Sequence, residues 1–180
     1  MIDYSFINQL EGSECNGYVP DPDNSNSGVT IASGFDIGQR SVEELQQAFS
    51  KELCEKLTPY VGMKKKQAVA FLADQPLTIS EIEVRQINCY SHSAAESLLI
   101  TRWNQSDSTH SFEQLAAPCQ TVIASVAFQY GDLARRTPNF WRQVTEKKWA
   151  DVIANLRNFG DHYATRRNVE ADLLQDWLYN

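Results

Sequence analysis

Residues 11–39 read E-G-S-E-C-N-G-Y-V-P-D-P-D-N-S-N-S-G-V-T-I-A-S-G-F-D-I-G-Q, a texture unlike anything later in the chain. They follow a short segment, Tyr4 to Leu10, in which Phe6, Ile7 and Leu10 recur at helical spacing. Glu11-Gly12 ends that segment, since glycine readily takes the left-handed conformation just past a helix terminus. From Ser13 to Gly38 the residues Gly17, Gly28, Gly34 and Gly38, with Pro20 and Pro22, surround two short pieces, Tyr18-Val19 and Val29-Thr30-Ile31. The pattern predicts a small β-hairpin or meander with a long polar turn.

Outward from this segment the chain reads as helical. Ser41 and Glu44 have the spacing of a capping box, and Val42, Leu45, Phe49 and Leu53 predict one helix behind it. Lys64 to Asp74 is a second candidate, and Thr78 or Ser80 caps a longer helix running toward Trp103. Polar residues Asn104 to Ser111 form a loop. Pro118 then opens a strongly apolar helix containing Val122, Ile123, Val126, Ala127 and Tyr130, which Gly131 closes. Further helices are expected from Thr137-Pro138, from Trp149 to Asn158 and from Thr165 to Leu178. No internal repeat or clean linker interrupts the chain, so residues 1–180 read as a single domain.

Composition narrows the partners. With 42% hydrophobic and 11% aromatic residues the chain can bury a sizeable core. A formal net charge of −7 argues against nucleic acid, whose phosphates are gripped by Lys and Arg. Cys15, Cys54, Cys89 and Cys119 form no C-x-x-C, and His92, His110 and His162 share no ligand spacing. Free buried thiols and no metal are therefore expected. The first residues lack a basic leader with an apolar stretch, and no long apolar run follows. The expectation is synthesis in the cytoplasm without a signal peptide, and no membrane insertion.

The chemistry concentrates in residues 11–38. A carboxylate at a helix end stands before a glycine-rich β segment that carries Thr30 and Asp36. Glycosidic cleavage needs such equipment: one carboxylic acid to protonate the leaving oxygen, and a second group to activate water. Blander readings accompany it. Asp21 to Ala32 faintly suggests a calcium loop, but Asn26 stands where glycine belongs and Ala32 where a bidentate Glu belongs, which favours a hydrated turn. Lys64, Lys65 and Lys66 are a solvated helix start or a contact for an anionic surface. Cys119 opens a helix, which lowers a thiol's pKa, and with His162 would make a Cys-His hydrolase. Against that stands its place on the most apolar helix, where a core thiol is the plainer reading.

The order Glu11-Gly12, a Gly-Tyr strand, then G-V-T-I-A-S-G-F-D-I-G-Q (28–39) resembles the catalytic hairpin of pesticin-type muramidases and, more distantly, the lysozymes of T-even phages. A-S-V-A-F-Q-Y-G (124–131) resembles the family's central core helix. K-K-W-A-D-V-I-A-N-L (147–156) and Ala164 to Leu174 resemble the two helices that follow it. The likeness covers roughly 1–40 and 115–178, and is loose between them.

It implies an α+β, mostly helical lysozyme-like fold, with a small N-terminal β-hairpin lobe (hairpin about 11–38) and a larger helical lobe (about 41–178) flanking a glycan cleft. The catalytic residues it implies are Glu11 as acid and Thr30 with Asp36 as water-holders. In the phage pattern the second carboxylate precedes the threonine, which keeps Asp21 and Asp23 as alternatives. Phe128, Gln129 and Asn155 would bind substrate, and Arg166-Arg167 would meet stem-peptide carboxylates or lie on a helix surface. The implied reaction is inverting hydrolysis of the β-1,4 bond between N-acetylmuramic acid and N-acetylglucosamine, without a cofactor. The partner would be peptidoglycan glycan strands in the periplasm or wall of a bacterial target or host. An endolysin or an antibacterial effector fits, and an effector implies a cognate immunity protein. A Cys119-based peptidoglycan amidase or peptidase, and a catalytically silent glycan-binding module, are the competing functions.

Overall fold

Three short strands and ten helices account for most of the chain in a computed structural model that describes residues 1–12 and 14–179. They divide into two compact units, residues 11–91 and residues 1–10 with 92–180. Ser13, where the expected meander begins, lies outside the described residues.

In the unit 11–91 the strands β1 (Glu14–Tyr18), β2 (Thr30–Ala32) and β3 (Phe35–Asp36) form an antiparallel sheet in that order. Tyr18 pairs with Thr30, and Thr30 in turn pairs with Asp36. The turn between β2 and β3 passes through Ala32 at φ 54° and Gly34 at φ 92°. Left-handed backbone is free for Gly34 and strained for Ala32, so the sharp turn rests on the residues around it. The first strand starts earlier than Tyr18-Val19. Its E-C-N-G-Y sequence has little β-branched character, but segment 77–79 supplies partners, with the Gly17 N–H donating to the Leu77 carbonyl and the Ile79 N–H to the Cys15 carbonyl, both at 2.8 Å. Tertiary pairing outweighs weak strand propensity there.

The helix expected behind Ser41 is two helices. Ser41 caps α2 (Val42–Ala48) by accepting from Glu44 N–H, but Phe49 turns extended and Ser50 caps a second helix, α3 (Lys51–Leu57). The spacing of Leu45, Phe49 and Leu53 survives the break because all three still meet one core with Ile31, Phe35 and Leu57. Helix α4 (Lys65–Asp74) and the start of α5 (Glu81–Asn104) follow as expected, with Ser80 and Glu83 capping each other.

The other unit is built on α6 (Ala117–Tyr130), in which every residue from Cys119 to Ala127 is buried. A helix buried all round belongs at the centre of its unit. Pro118 lies in its first turn and Gly131 follows it at φ 71°. Around it lie α7 (Leu133–Arg136), a single turn the sequence did not announce, then α8 (Pro138–Thr145), α9 (Trp149–Arg157) and α10 (Ala164–Tyr179). Helix α10 packs on α9 and α6. Among the described residues, no helix is long and apolar enough to cross a membrane.

Candidate active site

Glu11 is the last residue of α1 (Tyr4–Glu11) and is half-buried. Gly12 follows at φ 68°, so the chain turns away directly behind the carboxylate. The Ser33 hydroxyl donates to the Gly12 carbonyl at 2.8 Å, and the Ser33 N–H donates to Asn88 Oδ1 at 3.2 Å. The Glu11-Gly12 step is thereby fastened to the turn between β2 and β3.

Thr30 and Asp36 sit directly opposite each other in the β2–β3 ladder, which puts both side chains on the same face. Both converge on Gly28: Thr30 Oγ1 donates to its carbonyl at 3.2 Å, and its N–H donates to Asp36 Oδ1 at 3.0 Å. The Thr30 proton is engaged, leaving Oγ1 as an acceptor, and Asp36 keeps Oδ2 for a further partner. Thr30 is 3% exposed and Asp36 half-buried.

The backbone behind this pair is rigid for a steric reason. A Cβ on Gly28 would lie 2.3 Å from the Met63 carbonyl oxygen and 2.6 Å from the Gly38 Cα. One on Gly38 would lie 2.2 Å from that same oxygen. The two glycines therefore let three backbone segments touch. Gln39 adds to this by donating to the Asn26 carbonyl at 2.7 Å while accepting from Lys64 at 3.0 Å.

Asp21 and Asp23 have different surroundings. Both are exposed, in the turn between β1 and β2. Asp21, at φ 42°, accepts from the Asn24 side chain at 3.0 Å, and Asp23 pairs with the exposed Lys66 at 3.3 Å.

The remaining expected site residues lie in the unit built on α6. Phe128 stacks on the buried His92 at 4.4 Å between ring centroids, with Tyr4 stacked at 5.5 Å from His92. Gln129 accepts a hydrogen bond from Arg167 through Oε1. Asn155 donates to Gln143 Oε1 at 2.6 Å and lines a cavity of about 310 Å³ with Tyr130, Phe140, Phe159 and Asp161. Arg166 and Arg167 are not on the surface, their side chains being 11% and 1% exposed. Both pair with Glu170, Arg166 at 3.2 Å and Arg167 at 2.9 Å, and the Ser125 hydroxyl donates to the same carboxylate at 2.5 Å. Burial pushes the Glu170 carboxyl up, against the pull of the two guanidinium groups. Arg167, Glu170, Ala171 and Leu174 form the buried face of α10, so two charged residues at core spacing were the overlooked signal.

All four cysteines are free, but only Cys54 and Cys119 are buried; Cys15 is half-buried and Cys89 exposed. Burial pushes the Cys119 thiol up to about 12, which leaves almost no thiolate near neutral pH. The helix N-terminus does not offset desolvation there, and the exposed His162 gives no buried base.

The family model for pesticin, described as a bacterial toxin homologue of phage lysozyme (C-terminal part), matches residues 1–150. The chain belongs to the pesticin family. Its small antiparallel sheet among helices is the α+β, lysozyme-like fold of that family. Pesticin-family membership makes this a lysozyme-like toxin homologue, suggests a glycoside hydrolase and implies a peptidoglycan substrate. No curated protein matches the chain.

Proposed function

We propose that this pesticin-family chain is a muramidase, acting through residues 1–180 as one catalytic domain on the β-1,4 bond between N-acetylmuramic acid and N-acetylglucosamine. The observation that carries the reading is the Thr30–Asp36 cross-strand pair locked onto Gly28, in the same unit as the fastened Glu11-Gly12 step. Glu11 protonates the glycosidic oxygen as the bond breaks. Asp36 Oδ2 takes a proton from a water that Thr30 Oγ1 also holds, and that water attacks the opposite face of the sugar. The first product is then the α-anomer, with the configuration inverted. Phe128, Gln129 and Asn155 contact the glycan, and no cofactor takes part. The chain acts in the periplasm or wall of a bacterial target as a lytic toxin, with a cognate immunity protein in the producer.

Digestion of purified sacculi tests this. Mass spectrometry should find disaccharide-peptides ending in reducing muramic acid, and Glu11→Gln should stop their release while remaining folded. Release of free stem peptides, or sacculus binding without any product, would overturn the proposal in favour of an amidase or a silent binding module.

A further inference from the structure

The contact between Arg167 and Gln129 carries an inference that rests on the reading of Gln129 as a glycan contact. A guanidinium has five N–H donors and no acceptor. The Gln129 amide can therefore meet Arg167 only through Oε1, and that is the bond the structure contains. Arg167 has no freedom to adapt. It is 1% exposed, its Nη1 lies 2.9 Å from Glu170 Oε2, and its Nε lies 3.6 Å from Asp161 Oδ2. Its guanidinium carbon also stands 5.2 Å from the Phe159 ring centroid and 6.0 Å from that of Tyr130. Glu170 is wholly buried, so the group opposite Arg167 is held in place as well.

Gln129, by contrast, sits in the last turn of α6 and is half-buried. Its Nε2 donates to no described residue and is not shut away from solvent. We propose that Arg167 is a positioning residue that fixes the polarity of the Gln129 amide, so that Gln129 presents N–H donors alone and recognises an acceptor oxygen on the ligand. An acetamido carbonyl on the sugar and a carbonyl or carboxylate oxygen on the stem peptide share this chemistry. A ligand N–H at the same place meets two donors and is rejected.

Gln129→Glu isolates the effect, because a carboxylate still accepts from Arg167 but offers no donor. Two probes separate the sources: chitotetraose, which has acetamido groups and no peptide, and the free stem tripeptide L-alanyl-γ-D-glutamyl-diaminopimelate. On a Glu11→Gln background, which prevents turnover, Gln129→Glu should weaken binding of one probe at least about tenfold, as expected for a lost bond to a buried-charge-anchored donor, and leave the melting temperature no lower. The probe affected names the oxygen. In the enzyme with Glu11 intact, the loss should fall on KM for sacculi.

Arg167→Lys should also raise KM, since one ammonium nitrogen cannot take the places of both Nη1, which faces Glu170, and Nη2, which holds the amide. The double variant Arg167→Lys, Gln129→Glu should be no worse than Gln129→Glu alone, a coupling that a purely structural arginine would not produce. Unchanged affinity for both probes in Gln129→Glu, or additive losses in the double variant, overturns the inference while sacculus cleavage leaves the muramidase reading standing. If the unaltered chain neither cleaves sacculi nor binds either probe, both fall.

Discussion

The Ser33 hydroxyl donates a 2.8 Å hydrogen bond to the Gly12 carbonyl, joining the residue behind Glu11 to the turn behind Thr30 and in front of Asp36. A helix terminus leaves its last carbonyls without partners and is prone to fray. Catalytic groups gain from the opposite condition, since displacement by about an ångström removes much of the advantage of orientation.

Ser33→Ala removes this bond and nothing else of size. Its cost in stability should be about 1 kcal/mol, the usual worth of one such bond. The proposed role of Glu11 predicts a larger effect on turnover, roughly tenfold in kcat, from a looser acid. Thermal unfolding and sacculus digestion on one preparation check the two together. An activity loss no greater than the stability loss explains would assign Ser33 to the fold alone.

Gly28 and Gly38 make a sterner case. Alanine at either would bring Cβ within 2.3 Å of the Met63 carbonyl oxygen, and that oxygen belongs to backbone that cannot swing aside. Gly28→Ala and Gly38→Ala should each destabilise by more than about 3 kcal/mol, the range of severe overpacking. Gly34→Ala is the useful comparison. No atom lies within 4 Å of its added Cβ, so only the left-handed backbone is penalised, at about 1–2 kcal/mol. Denaturant titration of the three variants should give that order.

Cys119 gives a chemical test. With its thiol pushed up to about 12 and fully buried, it should resist iodoacetamide at pH 8 for as long as the chain stays folded. The exposed Cys89 should react quickly. Peptide mapping with and without denaturant reads both, and Cys119→Ala should keep its lytic activity. Early labelling of Cys119 together with loss of lysis in that variant would revive a cysteine mechanism.

Much of the fold was legible because local signals and tertiary packing agree. Gly12, Ser41, Ser80, Pro118 and Gly131 act at the termini where their chemistry placed them. Where they disagree, tertiary packing decides. Helical spacing through Phe49 hid a break at Ser50, because both halves face one core. The strand at Glu14 was hidden because its pairing comes from Leu77 and Ile79, far along the chain.

The site divides in the same way. Glu11, Thr30 and Asp36, the proposed catalytic groups, were legible through the resemblance of their motif to the pesticin-type hairpin, and the register of β2 and β3 pairs the last two. The groups that hold them were not legible. Ser33 and Asn88 are 55 residues apart in sequence. In the other unit the same holds of the groups around Gln129: the Ser125–Glu170 bond spans 45 residues, and Arg167 carries its charge on a face that periodicity assigns to the core. Supporting shells of this kind are made by contacts between distant segments, and a sequence read locally does not display them.

The choice between Asp36 and the pair Asp21 and Asp23 yields the most decisive prediction. A general base must keep one oxygen within reach of its water through the reaction, which requires a side chain that does not wander. Asp36 meets that condition, with Oδ1 held by the Gly28 N–H at 3.0 Å and its backbone paired to Thr30. Asp21 is engaged with Asn24 within its own turn, and Asp23 with Lys66 in a pair whose side chains are 69% and 85% exposed. An exposed pair of that kind fixes little. Asp36→Asn should therefore reduce lysis nearly as far as Glu11→Gln, at least about a hundredfold, the scale of general acid-base catalysis. Its amide can still turn an oxygen toward the Gly28 N–H, so folding should survive. Thr30→Ala should weaken lysis strongly, while Asp21→Asn and Asp23→Asn should each cost less than about tenfold, or 1.4 kcal/mol. Turbidity clearance of permeabilised cells, with circular dichroism to establish folding, reads all five variants. A folded but inactive Asp21 or Asp23 variant beside an active Asp36→Asn would move the second carboxylate to the turn between β1 and β2, as in the phage pattern.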